Sequence, residues 1–150
     1  MKEYIIIAGI DGVGKTSFKG ILLGEKHLDE ECLHETSDFS SIKDIIHNAH
    51  FKEYFIKMYY IGLNSVEESL SRIANRVRKG GHDIPKEYVT HRYNNRIQSL
   101  ENVIPLCDKV IFYDNENGFV KVAEMTNHKF LYTNGLRPEW LCEIKDKLHL

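Results

Sequence analysis

Three apolar runs along the chain predict strands that lie in the middle of a sheet. They span residues 4–8, 54–61 and 109–113. Each run is dominated by β-branched or aromatic side chains, and the first contains no polar residue that would mark a face exposed to water. Weaker patterns predict strands near residues 119–123 and 130–132, and at most a short strand near residues 32–35.

Between these runs, apolar residues recur at the spacing of helices that pack one face against a sheet. The segments with this spacing lie within residues 15–23, 42–49, 66–77, 85–104 and 136–148. Ser65 and Glu68 have the spacing of a capping box, which predicts a helix start, and Gly80-Gly81 predicts the end of the same helix. The alternation of strands and helices predicts an α/β fold: a mostly parallel central sheet between two helical layers, which is a three-layer sandwich.

Composition and charge narrow the classes of protein that fit this pattern. The chain has 150 residues, of which 42% are hydrophobic and 28% are charged, as expected for one globular domain. Its formal net charge of −2 gives no general positive field for nucleic acid or an anionic membrane. No apolar run approaches the roughly 20 residues of a membrane span, and the first residues lack the core of a signal peptide. We therefore expect a single cytoplasmic domain, residues 1–150, that binds neither nucleic acid nor membrane.

A glycine-rich loop stands between the first predicted strand and the helix after it. Residues 9–16 read Gly-Ile-Asp-Gly-Val-Gly-Lys-Thr and match the phosphate-loop pattern G-x-x-x-x-G-K-S/T at every position. The glycines allow consecutive N–H groups to point at phosphate oxygens, and the helix start adds a partial positive charge. We expect Lys15 to reach the β- and γ-phosphates of ATP and the Thr16 hydroxyl to bind Mg²⁺. The predicted nucleotide-binding residues are Gly9, Asp11, Gly12, Val13, Gly14, Lys15, Thr16 and Ser17.

Other motifs separate the classes of phosphate-loop protein. The chain has no N-K-x-D motif, so a guanine-specific GTPase is not indicated. A motor or transport ATPase usually needs a longer chain and an acidic residue that ends a strand near the loop. Asp114 ends the third strong strand and is a candidate second ligand for Mg²⁺, although an Asp-Asn pair after a strand is equally natural as a turn.

Four arginines form a second candidate cluster. Arg72 and Arg76 are four residues apart on one predicted helix, and Arg92 and Arg96 repeat this spacing on the next. In a phosphoryl transferase, a helix–loop–helix unit of this kind closes over the nucleotide and brings guanidinium groups to the transferring phosphoryl group. We therefore predict a helical lid at about residues 65–104, with solvated or acid-paired arginines as the alternative.

Several short motifs accompany the phosphate loop along residues 4–15 and 54 to about 124. They are Tyr60-Ile61-Gly62-Leu63, Arg72-Ile73-Ala74-Asn75-Arg76-Val77, Gly80-Gly81-His82-Asp83-Ile84-Pro85, His91-Arg92-Tyr93 and Tyr113-Asp114-Asn115. Together with the phosphate loop, these motifs give the chain a resemblance to the zeta-toxin-like branch of phosphate-loop kinases. The resemblance implies an adenylate-kinase-like fold and an enzyme that uses ATP and Mg²⁺ to phosphorylate a sugar hydroxyl of UDP-N-acetylglucosamine. It further implies that Lys15 acts on ATP, that Arg76 and Arg92 face phosphate, and that an antitoxin protein is a candidate partner.

The segment after the phosphate-loop helix departs from this family. Family members have a longer stretch there, with a second strand that ends in the aspartate that serves as general base for the acceptor hydroxyl. Here only about twenty residues separate Lys15 from Glu35, and we expect that strand to be shortened or lost. Glu35-Thr36-Ser37 resembles the family's E-T-T substrate segment, and Glu35 and Asp38 are the candidate replacements for the base, with a helix cap or a loop carboxylate as the alternative for each.

Two functions therefore stay open at the level of sequence. The first is a kinase that transfers the γ-phosphoryl group of ATP to a hydroxyl of a nucleotide sugar or a similar small-molecule acceptor. The second is a nucleotide-binding or regulatory module in which catalysis is reduced or lost together with the missing strand.

Overall fold

The computed structural model describes residues 2–26 and 32–150, and strands and helices alternate along most of this part of the chain. The strands are β1 (Glu3–Ala8), β2 (Leu33–Thr36), β3 (Phe55–Gly62), β4 (Lys109–Asp114), β5 (Val120–Thr126) and β6 (Lys129–Tyr132). The helices are α1 (Lys15–Lys26), α2 (Ile42–Phe51), α3 (Val66–Arg78), α4 (Lys86–Val103) and α5 (Glu139–Leu148). None of these helices is both long enough and apolar enough to cross a membrane.

The strands form one mixed sheet in the order β2-β1-β3-β4-β5-β6. The first four strands in this order are parallel to their neighbours, whereas β5 is antiparallel to β4 and β6 is antiparallel to β5. The prediction of a mostly parallel sheet is therefore confirmed for β2, β1, β3 and β4, whereas β5 and β6 depart from it. Short turns join the last three strands, and a short turn reverses the chain, whereas a parallel neighbour must be reached through a longer crossover.

Helices cover both faces of the parallel part of the sheet. On one face, α1 packs Phe18 and Leu22 in a core with Ile5 and Ile7 of β1. On the other face, α2, α4 and α5 enclose a larger core that includes Tyr60 and Phe112. The α/β architecture and its helical layers thus follow from the apolar runs and the helical spacing in the sequence.

Local signals set both ends of α3 as predicted. Ser65 Oγ accepts a hydrogen bond of 3.2 Å from the backbone N–H of Glu68. At the other end, the N–H groups of Gly80 and Gly81 donate to carbonyls of the last turn of the helix, at 3.0 and 2.9 Å, and Gly80 has a φ of +91°. Glycine is suited to this left-handed position, so α3 ends there and an exposed segment leads to α4.

The short strand predicted near residues 32–35 is present as β2, at the edge of the sheet. It pairs in parallel with β1, so that Glu35 lies opposite Ile7 and Thr36 opposite Ala8. Because the carboxyl ends of parallel strands meet at one edge of a sheet, β2 delivers Glu35 next to the loop that follows β1.

Candidate functional site

The loop between β1 and α1 follows a curled path that glycine makes possible. The φ angles of Gly9, Gly12 and Gly14 are +155°, +82° and +100°. A Cβ atom on Gly12 would lie 2.7 Å from the carbonyl oxygen of Ser69, and one on Gly14 would lie 2.7 Å from Nδ2 of Asn115. The glycines therefore supply the left-handed backbone and also let α3 and the end of β4 close against the loop.

Lys15 begins α1 and places its ammonium group inside the loop. Its side chain is buried, and Nζ donates to the carbonyl oxygens of Gly9 and Ile10, at 2.9 and 2.8 Å. Burial lowers the pKa of the ammonium from 10.5 to about 8, while the nearby carboxylates of Asp11 and Glu35 oppose the decrease. At neutral pH the group is still mostly protonated, so the loop encloses a positive charge.

Thr16 and Glu35 meet at the mouth of the loop. Thr16 Oγ1 donates a hydrogen bond of 2.9 Å to Glu35 Oε1. Both residues line a cavity of about 360 Å³. The predicted site residues that the structure brings to this cavity are Asp11, Gly12, Gly14, Lys15, Thr16, Ser17, Glu35 and Arg76. We call it the phosphate cavity. It combines the loop backbone with the cationic side chains of Lys15 and Arg76 and with the side-chain oxygens of Thr16 and Glu35, which are of the kind that bind Mg²⁺.

Val13 faces the other way from these residues. Its side chain is fully buried in the core beside α1, and its carbonyl oxygen accepts a hydrogen bond of 2.8 Å from Nδ2 of Asn115. Sequence analysis did not single out Asn115 for this contact, although its position directly after a buried strand was a usable signal. Asn115 ties the phosphate loop to the end of β4, and a role for the Val13 amide in nucleotide binding stays a prediction.

The two arginines of α3 have different partners. Arg72 pairs with Glu68 at 3.0 Å and donates to the carbonyl oxygen of Asn115 at 2.6 Å, which holds α3 against the end of β4. Arg76 is exposed, lines the phosphate cavity, and donates to the carbonyl oxygen of His82 at 3.3 Å. Both arginines line the phosphate cavity, and Arg76 is the more exposed of the two. The motion of a lid at residues 65–104 stays a prediction.

The arginines of α4 divide in the same way. Arg92 Nη1 donates to both carboxylate oxygens of Asp11, at 3.1 and 2.9 Å. Arg96 is buried, pairs with Glu143 of α5 at 2.8 Å, and stacks its guanidinium on the ring of Tyr93, 3.9 Å from the ring centre. Arg96 therefore fixes α4 to α5, while Arg92 contacts the phosphate loop.

A second cavity, of about 390 Å³, adjoins the loop at Gly9 and Ile10. Its walls come from the segment after β2 and from α4, and it is lined mainly by polar side chains. Those used below are Asp38, Lys43, Arg92 and Asn95. We call it the acceptor cavity. Sequence analysis did not find Lys43 or Asn95, because no local motif marks them.

The structure separates the two carboxylates that could replace the missing base. Glu35 contacts Thr16 in the phosphate cavity, whereas Asp38 lines the acceptor cavity. Oδ1 of Asp38 accepts a hydrogen bond of 3.0 Å from the backbone N–H of Ser40. This bond fixes the turn after β2 and thereby the place of the Asp38 carboxylate.

Asp114, predicted as a metal ligand, has other partners. Oδ1 accepts a hydrogen bond of 2.8 Å from Trp140 Nε1, and Oδ2 accepts one of 3.2 Å from the N–H of Glu116. Side chains alternate along β4, so Asp114 shares the face of Phe112 and points to α5, and it lines neither cavity. We therefore correct this assignment: Asp114 secures α5 and the turn after β4. Among the described residues, no three His, Cys, Asp or Glu side chains come together as a metal site.

Comparison with known sequences gives one short match. No family model matches the chain. Over 40 residues the chain is 45% identical to an uncharacterized protein of Haemophilus influenzae. This matched segment is 27% of this chain and 29% of that protein. The match thus spans less than a third of either protein.

Comparison with solved structures gives a likeness over nearly the whole chain. The AvrRxo1-ORF1:AvrRxo1-ORF2 complex contains a chain that superposes with a TM-score of 0.61 at 14% identity, over 95% of this chain and 63% of that chain. A structure of the PezAT chromosomal toxin–antitoxin system of Streptococcus pneumoniae superposes with a TM-score of 0.58 at 12% identity, over 99% of this chain and 85% of that chain. At these identities the likeness shows the fold, a P-loop-like α/β fold also found in a toxin–antitoxin system. The chain spans 63% of the length of the AvrRxo1 chain that it matches.

Proposed function

We propose, from the shared fold and the two adjoining cavities, that the chain is a zeta-toxin-like kinase that uses ATP and Mg²⁺ to phosphorylate a hydroxyl of a small-molecule acceptor. One observation carries the proposal: Lys15, Thr16 and Glu35 line one cavity, Asp38 lines the next, and Arg92 stands at the loop between them. This is the arrangement that transfer between two bound substrates requires.

The phosphate cavity suits the triphosphate of a nucleotide. Its backbone curls through the left-handed conformations of Gly12 and Gly14, and the first turn of α1 lines it, so that the N-terminus of the helix faces the cavity. Lys15 and the exposed Arg76 are the cations that would balance the phosphate charge. Because the ammonium of Lys15 is already desolvated, its attraction to an anion is stronger than that of an exposed lysine.

The donor set at the mouth of the loop suits Mg²⁺. This ion prefers oxygen ligands and retains several waters, so it needs few groups from the protein. The hydrogen bond between Thr16 and Glu35 places a hydroxyl and a carboxylate at the same point. When bound, the ion would neutralise charge on the β- and γ-phosphates. We assign Glu35 to this metal side, and not to the acceptor.

Asp38 is then the carboxylate available for the acceptor. We assign it as general base: the acceptor oxygen attacks the γ-phosphorus, the bond from that phosphorus to the β,γ-bridging oxygen breaks, and Asp38 takes the hydroxyl proton. Such a base contributes about 10²- to 10⁴-fold to the rate. Lys43 and Asn95 in the same cavity would hold an anionic or hydroxylated acceptor such as a nucleotide sugar, so UDP-N-acetylglucosamine is the first acceptor to test.

The comparison structures also support a role as a toxin with a protein partner. One belongs to a toxin–antitoxin system and the other is a complex of two gene products. We therefore propose that the wild-type chain slows growth when it is expressed alone in bacteria, and that Lys15→Met abolishes this effect. Equal growth inhibition by both forms would contradict a toxic kinase activity.

The direct test is acceptor-dependent release of ADP. Wild type, Lys15→Met and the control Lys19→Met are assayed with ATP, Mg²⁺ and a panel of acceptors that includes UDP-N-acetylglucosamine. Lys19 lies one turn along α1 and lines neither cavity. We expect release in wild type and Lys19→Met, and a loss of at least about 100-fold in Lys15→Met.

A different result would favour the alternative function. If ATP and Mg²⁺ bind but no acceptor on the panel stimulates ADP release, the chain is a nucleotide-binding module. The short β2 is the feature that would account for such a loss.

A further inference from the structure

Asp11 places a buried negative charge at the phosphate loop. Its side chain is 7% exposed, and it lies between two of the loop glycines. A carboxylate at this place opposes the binding of a polyanion, because like charges repel strongly where water is excluded. The phosphate-loop pattern does not require an acidic residue at this position. The charge of Asp11 therefore calls for a function in addition to the nucleotide contact that its place in the loop predicts.

The contact with Arg92 indicates what that function is. Arg92 Nη1 lies 3.1 and 2.9 Å from the two carboxylate oxygens of Asp11, and this ion pair joins the loop to α4. Arg92 is 32% exposed, so part of its side chain remains accessible while the carboxylate holds it. A guanidinium without such a partner would sample several rotamers.

The two members of the pair line different cavities. Asp11 lines the phosphate cavity together with Lys15 and Thr16, and Arg92 lines the acceptor cavity together with Asp38. Both charges also act on Lys15: the carboxylate of Asp11 raises the pKa of the ammonium, and the guanidinium of Arg92 lowers it. The ion pair therefore stands within electrostatic reach of the lysine that would hold the transferring phosphate.

We propose that Asp11 is a positioning residue whose carboxylate holds the Arg92 guanidinium at the border between the phosphate cavity and the acceptor cavity. This inference rests on the proposed kinase function. At that border, charge accumulates on the phosphoryl group as it passes from ATP to the acceptor. A cation that is already in place stabilises this charge without reorganisation. Asp11 itself acts through Arg92 and does not contact the reacting atoms.

The test is a double-mutant cycle with Asp11→Asn, Arg92→Gln and the double variant. Turnover is measured with the acceptor that wild type uses, and ATP affinity is measured separately by calorimetry. Asparagine keeps the shape of the side chain and loses its charge. We expect Asp11→Asn to lower kcat by about 10- to 100-fold, with an unchanged or lower KM for ATP, because a repulsive charge leaves the phosphate cavity. The double variant should be no slower than Arg92→Gln alone, because Asp11 acts through the arginine.

Controls separate positioning from folding. Glu124→Gln removes a partner of Lys121 on β5, away from both cavities, and should leave kcat unchanged. If Asp11→Asn fails to fold, Arg92→Lys keeps the cation and should still lower kcat without raising the KM for ATP.

Three results would overturn the inference. Independent, multiplying losses in the double variant would show that Asp11 acts without Arg92. An unchanged kcat in Asp11→Asn, with active wild type, would refute the positioning role and leave the kinase intact. Wild type that binds ATP but transfers no phosphate would refute the proposed function, and the inference with it.

Discussion

The Thr16 hydroxyl donates to the Glu35 carboxylate over 2.9 Å, and this contact joins the first turn of α1 to the edge strand β2. It brings a negative charge to the residue that ends the phosphate-loop pattern. Within this pair, the loop and the start of α1 place Thr16, whereas the register of β2 against β1 places Glu35.

Glu35→Gln tests the metal side of the cavity. Glutamine still accepts a hydrogen bond from Thr16 but no longer offers a charged ligand to a cation. We expect the Mg²⁺ concentration for half-maximal ATP binding to rise by about tenfold, because hard cations favour carboxylate over amide oxygen. Glu25→Gln, on the exposed side of α1, is the matched control. An unchanged Mg²⁺ requirement would remove Glu35 from the metal site.

The pH dependence of ATP binding tests the buried ammonium. Burial lowers the pKa of Lys15 to about 8, so ATP affinity should be steady near pH 7 and fall as the pH rises above 8. Bound phosphate favours the protonated form, so Lys15 has a higher pKa in the complex, and the fall in affinity that starts near pH 8 levels off at that higher pKa. Calorimetric titrations from pH 6.5 to 10, roughly, would show it. Lys15→Met should bind weakly with no such decline, and a parallel decline in this variant would assign the titration to another group.

The lowered pKa of Lys15 also determines how the free energy of unfolding changes with pH. The folded protein holds Lys15 at a lower pKa than the unfolded chain does, so the unfolded chain binds more protons between pH 8 and 10.5. The contribution of Lys15 to stability should therefore be least favourable below pH 8 and should improve as the pH rises through this window. Urea unfolding of wild type and Lys15→Met between pH 8 and 10.5 isolates the contribution of Lys15 to the free energy of unfolding. An identical pH slope in the two proteins would contradict it.

Gly12→Ala tests the fit of the loop against α3. The new Cβ would lie 2.7 Å from the Ser69 carbonyl oxygen, and Gly12 has a φ of +82°. We expect a loss of about 1 to 3 kcal/mol of stability and at least a tenfold loss of ATP affinity, because either the loop or α3 must move. Gly20→Ala, within α1 and with nothing near its Cβ position, should stabilise by up to about 1 kcal/mol and leave ATP binding unchanged. Equal behaviour of the two variants would show that the loop tolerates the change.

Asp114→Asn distinguishes a metal ligand from a structural carboxylate. The Asp114 oxygens bond Trp140 and Glu116, so the variant should lose about 1 to 2 kcal/mol of stability while its Mg²⁺ requirement stays that of wild type. Thermal unfolding and Mg²⁺ titration measure the two effects. A raised Mg²⁺ requirement in a fully stable variant would restore Asp114 to the metal site.

The parts of the structure that depend on neighbouring residues were predictable. The phosphate loop, the cap at Ser65 and the stop at Gly80 were all found, because a short motif determines each of them. The strands with continuous apolar runs were also found, since burial on both faces leaves a clear pattern.

The parts that depend on which strand lies beside which were not predictable. The direction of β5 and β6 is set by two short turns, which the apolar pattern does not encode. Asp114 and Asn115 are adjacent in sequence, yet the pleat of β4 turns Asp114 to Trp140 while Asn115 binds the phosphate loop. The pairing of Asp11 with Arg92 spans most of the chain, so only the folded structure brings it to light.

Calorimetric titration of wild type and Lys15→Met with ATP and Mg²⁺ near pH 7 tests the phosphate cavity most directly. The Lys15 ammonium enclosed by the glycine-rich phosphate loop predicts saturable binding of ATP to wild type. It also predicts an affinity at least about 100-fold weaker in Lys15→Met, with both proteins folded. Equal affinity in the two proteins, or no binding to wild type, would contradict the nucleotide site on which the kinase proposal depends.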